Sequence, residues 1–281
     1  AMKHLIVVRS GGELASGIVH TLYRSGFRVL ILEQARPSAT RRRVTFSDAM
    51  YRGEATVERV TCYRAQNLED AKKRLKNGEL VMLEDPAAKC VRALRPQILV
   101  DAITAHQNKG TRRDMADHTI GLGPGFCAGR DVDVVVETMR GHNLGRLIYE
   151  GFSAREQDIE NSTVGYARNV EHLLFAPEDG QLEMLRSISL MVKRGESLAH
   201  LHTKDGQIIE LKATIDGVLR GALHTGSQVV KGQKVADIHP TMGQEECFTI
   251  SDKARCIAGS VLEAVMAWDT KRPRRRFFHR D

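Results

Sequence analysis

The pattern of apolar and polar positions in the first 33 residues predicts a strand, a tight turn, a helix and a second strand. Residues 5–8 form a short, β-branched apolar run, as a buried parallel strand requires. The glycine pair at positions 11 and 12 favours a turn, and residues 29–32 are the predicted second strand, closed by Glu33. Between them, apolar residues recur at helical spacing at Leu14, Ile18, Val19 and Leu22.

The alternation of strand and helix patterns continues to about residue 150. A helix is predicted over Leu68–Lys76, with Asn67 as its cap. Further strands are predicted at residues 55–64, 80–83, 97–100, 118–122 and 132–136. Such alternation is typical of the α/β class, and it predicts a Rossmann-like doubly wound parallel sheet over residues 2–160.

The second half of the chain contains an internal repeat. Residues 176–201 align with residues 213–238 at a fixed offset of 37, with seven identical positions. Each copy has a D-G turn, a strand, a glycine turn and another strand, which predicts a small barrel-sandwich-hybrid domain of the biotinyl and lipoyl type over 168–245. A helix over 249–268 is expected to return to and pack on the first domain, followed by a flexible basic tail, 269–281.

The first turn resembles half of a dinucleotide-binding unit. Paired glycines let a backbone approach a pyrophosphate, and a helix N-terminus offers free N–H groups to it. The three glycine positions of the G-x-G-x-x-G fingerprint fall on Ser10, Gly12 and Ala15, and an acid at Glu33 stands where ribose hydroxyls would be held. The alternative is a turn that serves packing alone.

Two later loops carry further candidate chemistry. The glycine-rich loop 123–129 is flexible enough to bring N–H groups around an anion, and it contains Cys127 as a candidate reactive thiol. The loop 137–146 combines Glu137, Arg140 and His142, which indicates a polar ligand or proton transfer, or else an ion-paired loop. The candidate catalytic residues are therefore His142, Glu137 and Cys127. The candidate cofactor-binding residues are Ser10, Gly11, Gly12, Glu13, Glu33, Gly123, Gly125 and Arg140.

Charge and cysteine content narrow the function classes. The net charge is +7, but residues 271–281 carry six basic residues against Asp281 and account for +5 of it, so the remainder is +2. Nucleic acid is therefore an unlikely partner, although the run of arginines at 41–43 could contact the extra phosphate of NADP. The five scattered cysteines show no metal-site spacing, and no signal peptide or membrane span is recognised, so a cytoplasmic protein that binds no metal through cysteine is expected.

Four segments together resemble one protein family. They are RSGGELASGIVHTLYRSGFRVLILEQARP, IGLGPGFCAGRDVDVVVETMRGHNLGR, IDGVLRGALHTGSQVVKGQKVADIHP and ISDKARCIAGSVLEAV. They are similar to the bacterial YqeB-type proteins, which are accessory proteins of selenium-dependent molybdenum hydroxylases and distant relatives of the xanthine dehydrogenase accessory proteins. The chain departs from the family at the first turn, where a glycine is expected at Ser10 and an aspartate at Glu13.

The resemblance implies an accessory or maturation factor without assignable catalytic residues. Its partner would be a molybdenum hydroxylase apoenzyme, its ligand a molybdopterin-type cofactor or NAD(P), and a homo-oligomer is possible. The alternative is a stand-alone NAD(P)-dependent oxidoreductase, with Glu33 on the ribose and His142 as acid or base. A third hypothesis is selenium or sulfur transfer through Cys127 or Cys247.

Overall fold

A nine-stranded sheet dominates the first half of the chain. The structure is a computed structural model that describes residues 4–154, 172–241 and 243–271. The first eleven strands are β1 Leu5–Arg9, β2 Arg28–Glu33, β3 Glu54–Val57, β4 Val60–Arg64, β5 Leu80–Glu84, β6 Ile98–Asp101, β7 His118–Leu122, β8 Cys127–Ala128, β9 Val134–Val136, β10 Leu147–Ile148 and β11 Gly151–Phe152. The helices are α1 Glu13–Arg24, α2 Ala49–Arg52, α3 Leu68–Lys76, α4 Val91–Leu94 and α5 Asp252–Lys271.

The sheet is mixed, so the prediction of a Rossmann-like doubly wound parallel sheet is wrong. Its strand order is β10-β9-β7-β6-β1-β2-β5-β4-β3, and the strands at both edges, β3 and β10, are antiparallel to their neighbours. For β3 the reason lies in the connection, because a tight hairpin joins it to β4 and pairs the two strands in the antiparallel sense, whereas parallel pairing needs a longer crossover. β10 pairs antiparallel with β9 after the loop 137–146. β8 and β11 form a separate two-stranded antiparallel sheet.

The predicted single strand at residues 55–64 is such a hairpin. β3 and β4 are joined by Glu58 and Arg59, whose φ angles are +41° and +69°. Left-handed conformations at both central residues match the twist of a two-residue hairpin. The Glu58 carboxylate is held from outside the hairpin, since it accepts the Ile250 N–H at 2.8 Å and also pairs with Arg255.

The second half forms two four-stranded antiparallel sheets, which corrects the predicted barrel-sandwich-hybrid domain. Its strands are β12 Leu173–Phe175, β13 Gly180–Met184, β14 Met191–Val192, β15 Ser197–Thr203, β16 Ile208–Lys212, β17 Gly217–Ala222, β18 Gln228–Val229 and β19 Lys234–His239. One sheet has the order β12-β19-β17-β14 and the other β16-β15-β13-β18. The repeat is visible in the strands that begin 37 residues apart, at 180 and 217, 191 and 228, and 197 and 234. Each copy lends its short middle strand to the sheet of the other copy, and β12 and β16 add edges outside the repeat.

Helices cover both faces of the large sheet. α1 and α5 pack with Ile6 and Val8 of β1 in one hydrophobic cluster, while α3 and α4 cover the opposite face. α5 approaches α1 closely at Gly17, where a Cβ would lie 3.0 Å from the Cβ of Ala254. α5 runs to Lys271 and so includes the first three residues of the predicted tail 269–281. The rest of that tail, like residues 155–171 around the predicted domain boundary, lies outside the described residues.

The segment 40–48 joins the large sheet to β17. The Thr40 carbonyl accepts the Ala222 N–H at 2.8 Å, and Arg42 Nε donates to the Ala222 carbonyl at 2.7 Å. Gly221 allows this approach, since a Cβ there would lie 3.1 Å from the Thr40 carbonyl. The second half of the chain therefore fixes the position of Arg41.

Candidate functional site

A polar cleft of ≈ 460 Å³ lies where β1 and β2 end and α1 begins. In an open α/β sheet this carboxyl edge is where ligands collect. The residues that line this α1 cleft include Arg9, Ser10, Gly12, Glu13, Glu33, Arg41, Ile103 and Lys234.

The turn between β1 and α1 depends on its small residues. Ser10 has a φ of +86°, a left-handed conformation that normally favours glycine, so serine adopts here the conformation that the fingerprint glycine would have. Gly11 is tightly packed, because a Cβ there would lie 3.0 Å from the Ser47 backbone nitrogen and 2.6 Å from Met82 Cε. Gly12 is the N-cap of α1 and has no side chain, so no side chain caps the first N–H groups of the helix.

Glu33 holds this turn together. The side chain is only 8% exposed, and Oε2 accepts the Gly11 N–H at 2.8 Å and the Ser47 hydroxyl at 2.7 Å. Oε1 accepts the Gln34 N–H at 2.8 Å. Both carboxylate oxygens are therefore engaged by the protein itself, which does not fit the predicted contact with a ribose hydroxyl pair.

Arg41 faces the start of α1. It is 5% exposed, and its Nη1 donates to Glu13 Oε1 at 2.6 Å. Its Nε is also buried and finds no hydrogen-bond acceptor among the described residues. A buried donor without a partner costs free energy, so an acceptor supplied by a ligand would be favoured here.

Arg9 is the second buried arginine of the cleft. Its Nη1 donates to Asp101 Oδ2 at 3.2 Å and to the Thr111 hydroxyl at 2.7 Å. Its Nη2 donates to the Pro86 and Lys109 carbonyls, and its Nε has no acceptor in the part of the chain that the structure describes. Sequence reasoning did not select Arg9, although a charged residue that ends an apolar strand was a usable signal. Arg41 was noticed only as part of the run 41–43.

The glycine-rich loop 123–129 lies next to this region and does not line the cleft. Gly123 has a φ of +76° and donates its N–H to the Val136 carbonyl at 3.0 Å. At Gly125 a Cβ would lie 2.8 Å from the Ala105 carbonyl oxygen. These two glycines allow close packing of neighbouring loops, so their role as an anion cradle has no support in the geometry.

The structure does not assemble the predicted acid–histidine–arginine group of the loop 137–146. Glu137 is buried, and its carboxylate accepts the N–H groups of Met139 and Ala154, both at 2.8 Å. His142 is exposed. Arg140 turns to α5 and donates to both carboxylate oxygens of Asp252, at 3.0 and 3.1 Å.

The cysteines considered for transfer chemistry lie in different surroundings. Cys127 is half-buried in β8, and its N–H donates to Asp131 at 2.9 Å. Cys247 is buried, and burial raises the pKa of its thiol above the usual value. A raised pKa lowers the thiolate fraction, so Cys247 is not activated for nucleophilic transfer.

Comparison with known proteins identifies one sequence relative. No protein-family model matches the chain. It is 40% identical over 262 residues to the uncharacterized protein YqeB of Escherichia coli K12, a match that covers 93% of this chain and 47% of that protein. The chain thus spans about half the length of the curated relative that it matches. The match supports the predicted likeness to YqeB-type proteins, while the relative's name gives no activity.

Solved structures give only weak likenesses. The product-bound ectoine utilization protein EutE (DoeB) from Ruegeria pomeroyi has a TM-score of 0.25 and 14% identity, covering 84% of this chain and 57% of that one. A succinylglutamate desuccinylase/aspartoacylase from Rhodobacter sphaeroides has a TM-score of 0.24 and 14% identity, covering 83% and 51%. TcdA (CsdL) has a TM-score of 0.31 and 13% identity, covering 96% and 89%. Scores this low carry no information about the function of the chain.

Proposed function

We propose that this protein is an accessory factor for a molybdenum hydroxylase and binds the phosphate-bearing part of a nucleotide or molybdenum-pterin cofactor in the α1 cleft. The accessory role comes from the resemblance to YqeB-type proteins, and the ligand class comes from the cleft. The observation that carries the ligand class is the buried Arg41, with an Nε that lacks an acceptor among the described residues, beside the uncapped start of α1.

The donors of the α1 cleft suit a phosphate group. A helix N-terminus and an arginine both offer N–H donors and positive charge, which is the combination that phosphate oxygens accept. The cleft volume of ≈ 460 Å³ is within the range of about 300–1,000 Å³ that is usual for small-molecule sites. In this proposal Arg41 and the N–H groups at the start of α1 hold the ligand. The Ser10 hydroxyl accepts the Gly12 N–H at 3.1 Å and shapes the turn beside them, and Glu33 fixes that turn.

The alternative of a stand-alone NAD(P)-dependent oxidoreductase is less well supported. It needs Glu33 for the ribose, and that carboxylate is engaged by three protein donors. It also needs His142 as an acid or base, and this side chain is exposed on a loop outside the α1 cleft.

The remaining parts of the proposal concern location and partner. None of the described helices is long and apolar enough to cross a membrane. The five cysteines are free thiols, which agrees with action in a reducing cytoplasm, where a molybdenum hydroxylase apoenzyme would be met.

Native mass spectrometry of the freshly purified protein tests the ligand class. The protein is mixed separately with a molybdopterin nucleotide, NAD and NADP. We expect retention of the molybdopterin nucleotide, whereas selective retention of NAD or NADP would favour the oxidoreductase. Retention of none of the three would contradict ligand binding in the α1 cleft.

A pull-down with a molybdenum hydroxylase apoenzyme tests the partner. We expect the apoenzyme to be retained by this protein and the cofactor-loaded enzyme to be retained less, because a maturation factor must release its product. If neither form of the enzyme is retained in the pull-down, the accessory role is contradicted, while the result of the ligand test is unaffected.

A further inference from the structure

A second cleft, of ≈ 630 Å³, shares the Glu13–Arg41 pair with the α1 cleft and is lined by the N-terminal ends of α1 and α5. Glu13 and Leu14 of α1 line it together with residues 251–253 at the start of α5. Its basic side chains are Arg41, Arg140, Arg220, His239 and Lys253. This α1–α5 cleft therefore collects basic side chains from five separate segments of the chain, and the carboxylates of Glu13, Glu246 and Asp252 line it as well.

The three arginines of the α1–α5 cleft are already oriented by carboxylates. Arg41 pairs with Glu13 and Arg140 with Asp252. Arg220 donates to Asp237 at 2.9 Å. These pairs fix the guanidinium groups in place around the cleft without filling it.

Lys253 differs from the arginines. It is half-buried in the first turn of α5, and within the described part of the chain its ammonium group makes no hydrogen bond or ion pair. Burial and then repulsion from Arg140 lower the pKa of Lys253 below its usual value, and this outweighs the opposing effects of Glu13, Glu137 and Asp252. Burial and repulsion from Arg220 likewise lower the pKa of His239. The Lys253 ammonium is therefore a positive charge in the cleft that no carboxylate of the described residues contacts directly, whereas the lowered pKa favours the neutral form of His239.

We propose that the α1–α5 cleft is an anion site that binds a phosphoryl group, with Lys253 as the principal ligand and Arg140 and Arg220 as orienting donors. The site goes beyond the cofactor cleft proposed above, because its proposed ligands, Lys253, Arg140 and Arg220, do not line that cleft. The phosphoryl group is either free, as in inorganic pyrophosphate, or carried on a nucleotide. An ammonium without a fixed partner, flanked by oriented guanidinium groups, is suited to both.

Chemical labelling of the unmodified protein is the first test. An amine-reactive reagent is applied at about pH 8, where a lysine with a lowered pKa reacts faster than an ordinary one. The matched control is Lys231, whose pKa is raised by a hydrogen bond from its ammonium to Glu178. We expect Lys253 to be labelled faster than Lys231, and inorganic pyrophosphate to protect Lys253 alone. Labelling of Lys253 that pyrophosphate leaves unchanged would overturn the proposal.

Calorimetric titration with inorganic pyrophosphate is the second test. We expect Lys253→Met to raise the Kd by about tenfold or more, since a charge-assisted hydrogen bond is lost, and Lys253→Arg to restore most of the affinity. Lys231→Met removes one positive charge elsewhere and should leave the Kd unchanged. An equal Kd for the wild type and Lys253→Met would overturn the proposal.

The same titration with ADP separates the two sources of the phosphoryl group. ADP binding that depends on Lys253 identifies a nucleotide, while binding of pyrophosphate without ADP identifies a free anion, and both results support the site. Failure of the molybdopterin nucleotide to bind, with Lys253 still protected by pyrophosphate, would remove the proposed function and leave this site standing.

Discussion

The α1 cleft and the loop 137–146 both lie beside a buried glutamate at the end of a strand, but they differ in the hydrogen-bond donors left for a ligand. Each follows a buried strand that is closed by a buried glutamate, Glu33 in one case and Glu137 in the other. Each carboxylate accepts one backbone N–H group from the residues that follow it, Gln34 or Met139, and one from a separate segment, Gly11 or Ala154. Beside Glu33 the chain leaves a helix start uncapped and an arginine nine-tenths buried, whereas Arg140 in the second loop is half-exposed and paired with Asp252.

This difference shows that an acid at a strand end is first an anchor for the loop that follows. A buried carboxylate with two or three N–H donors stabilises the loop and has little capacity left for a ligand. Whether a ligand can bind then depends on the donors that remain. Among the described residues, the α1 cleft keeps two buried donors without an acceptor, the Nε groups of Arg41 and Arg9. This comparison of the two regions leads to predictions that measurements can contradict.

The largest expected effect is on Glu33. Glu33→Ala leaves the Gly11 N–H, the Ser47 hydroxyl and the Gln34 N–H without their acceptor, and we expect the free energy of unfolding to fall by about 3 kcal/mol or more. Chemical denaturation measures it. The control is Glu84→Ala, at the paired position of β5, where the carboxylate is exposed and forms an ion pair with Arg64, and a change within about 0.5 kcal/mol is expected. Equal losses would mean that Glu33 does not anchor the turn.

The second effect is on Glu137. Glu137→Ala removes the acceptor of two N–H groups instead of three donors, so we expect a smaller loss in the free energy of unfolding, about 2 kcal/mol. Binding of a molybdopterin nucleotide should be unchanged in this variant, because the loop lies outside the α1 cleft. Loss of binding in a folded Glu137→Ala protein would restore the loop 137–146 as part of the site.

The smallest effect is the pH dependence of the Arg140–Asp252 pair. A hydrogen bond from Arg140 and one from the Lys253 N–H lower the pKa of Asp252 to about 2, from the ordinary 3.8. Because the pKa of Asp252 is lower in the folded protein than in the unfolded one, the pair adds to the free energy of unfolding above about pH 4. This stabilising contribution disappears as the pH falls toward 2.

The magnitude of this contribution is below about 1 kcal/mol, since both side chains are at least half exposed and screened by solvent. The measurement compares the free energy of unfolding of the wild type and Asp252→Asn at pH 6 and in the acid range. The difference between the two proteins should shrink as the pH falls, and a difference that grows would contradict the sign.

Sequence patterns located the elements around the α1 cleft because local chemistry dictates them. A β-branched run, a glycine pair and a helical stripe lie within thirty-three residues, and the structure has β1, α1 and β2 there. The β3–β4 hairpin was missed because Glu58 and Arg59 are not turn residues. The Glu58 carboxylate is held by Ile250 and Arg255, almost 200 positions away along the chain. The exchange of β14 and β18 between two sheets was missed because two-residue strands carry no periodicity.

Sequence patterns predicted the position of the candidate site better than the roles of its residues. Spacing selected Glu33 and the turn 10–13, which do line the α1 cleft. Spacing cannot reveal that the Ser47 hydroxyl, from a later segment, donates a hydrogen bond to the Glu33 carboxylate, which a ribose would need as its acceptor. Spacing also cannot reveal that the hydrogen bonds of Thr40 and Arg42 to Ala222 of β17 fix the position of Arg41. Both facts depend on contacts between distant parts of the chain.

The most direct test of the account is the affinity of the α1 cleft for a molybdopterin nucleotide with and without its charged pair. Glu13→Gln combined with Arg41→Gln removes both charges together and keeps polar groups in place, while Glu69→Gln combined with Lys72→Gln does the same to an exposed pair on α3. We predict that equilibrium titration will give a Kd raised about tenfold or more in the first variant and unchanged in the second. Equal affinity of the wild type and both variants would contradict the claim that Arg41 and the start of α1 bind the ligand.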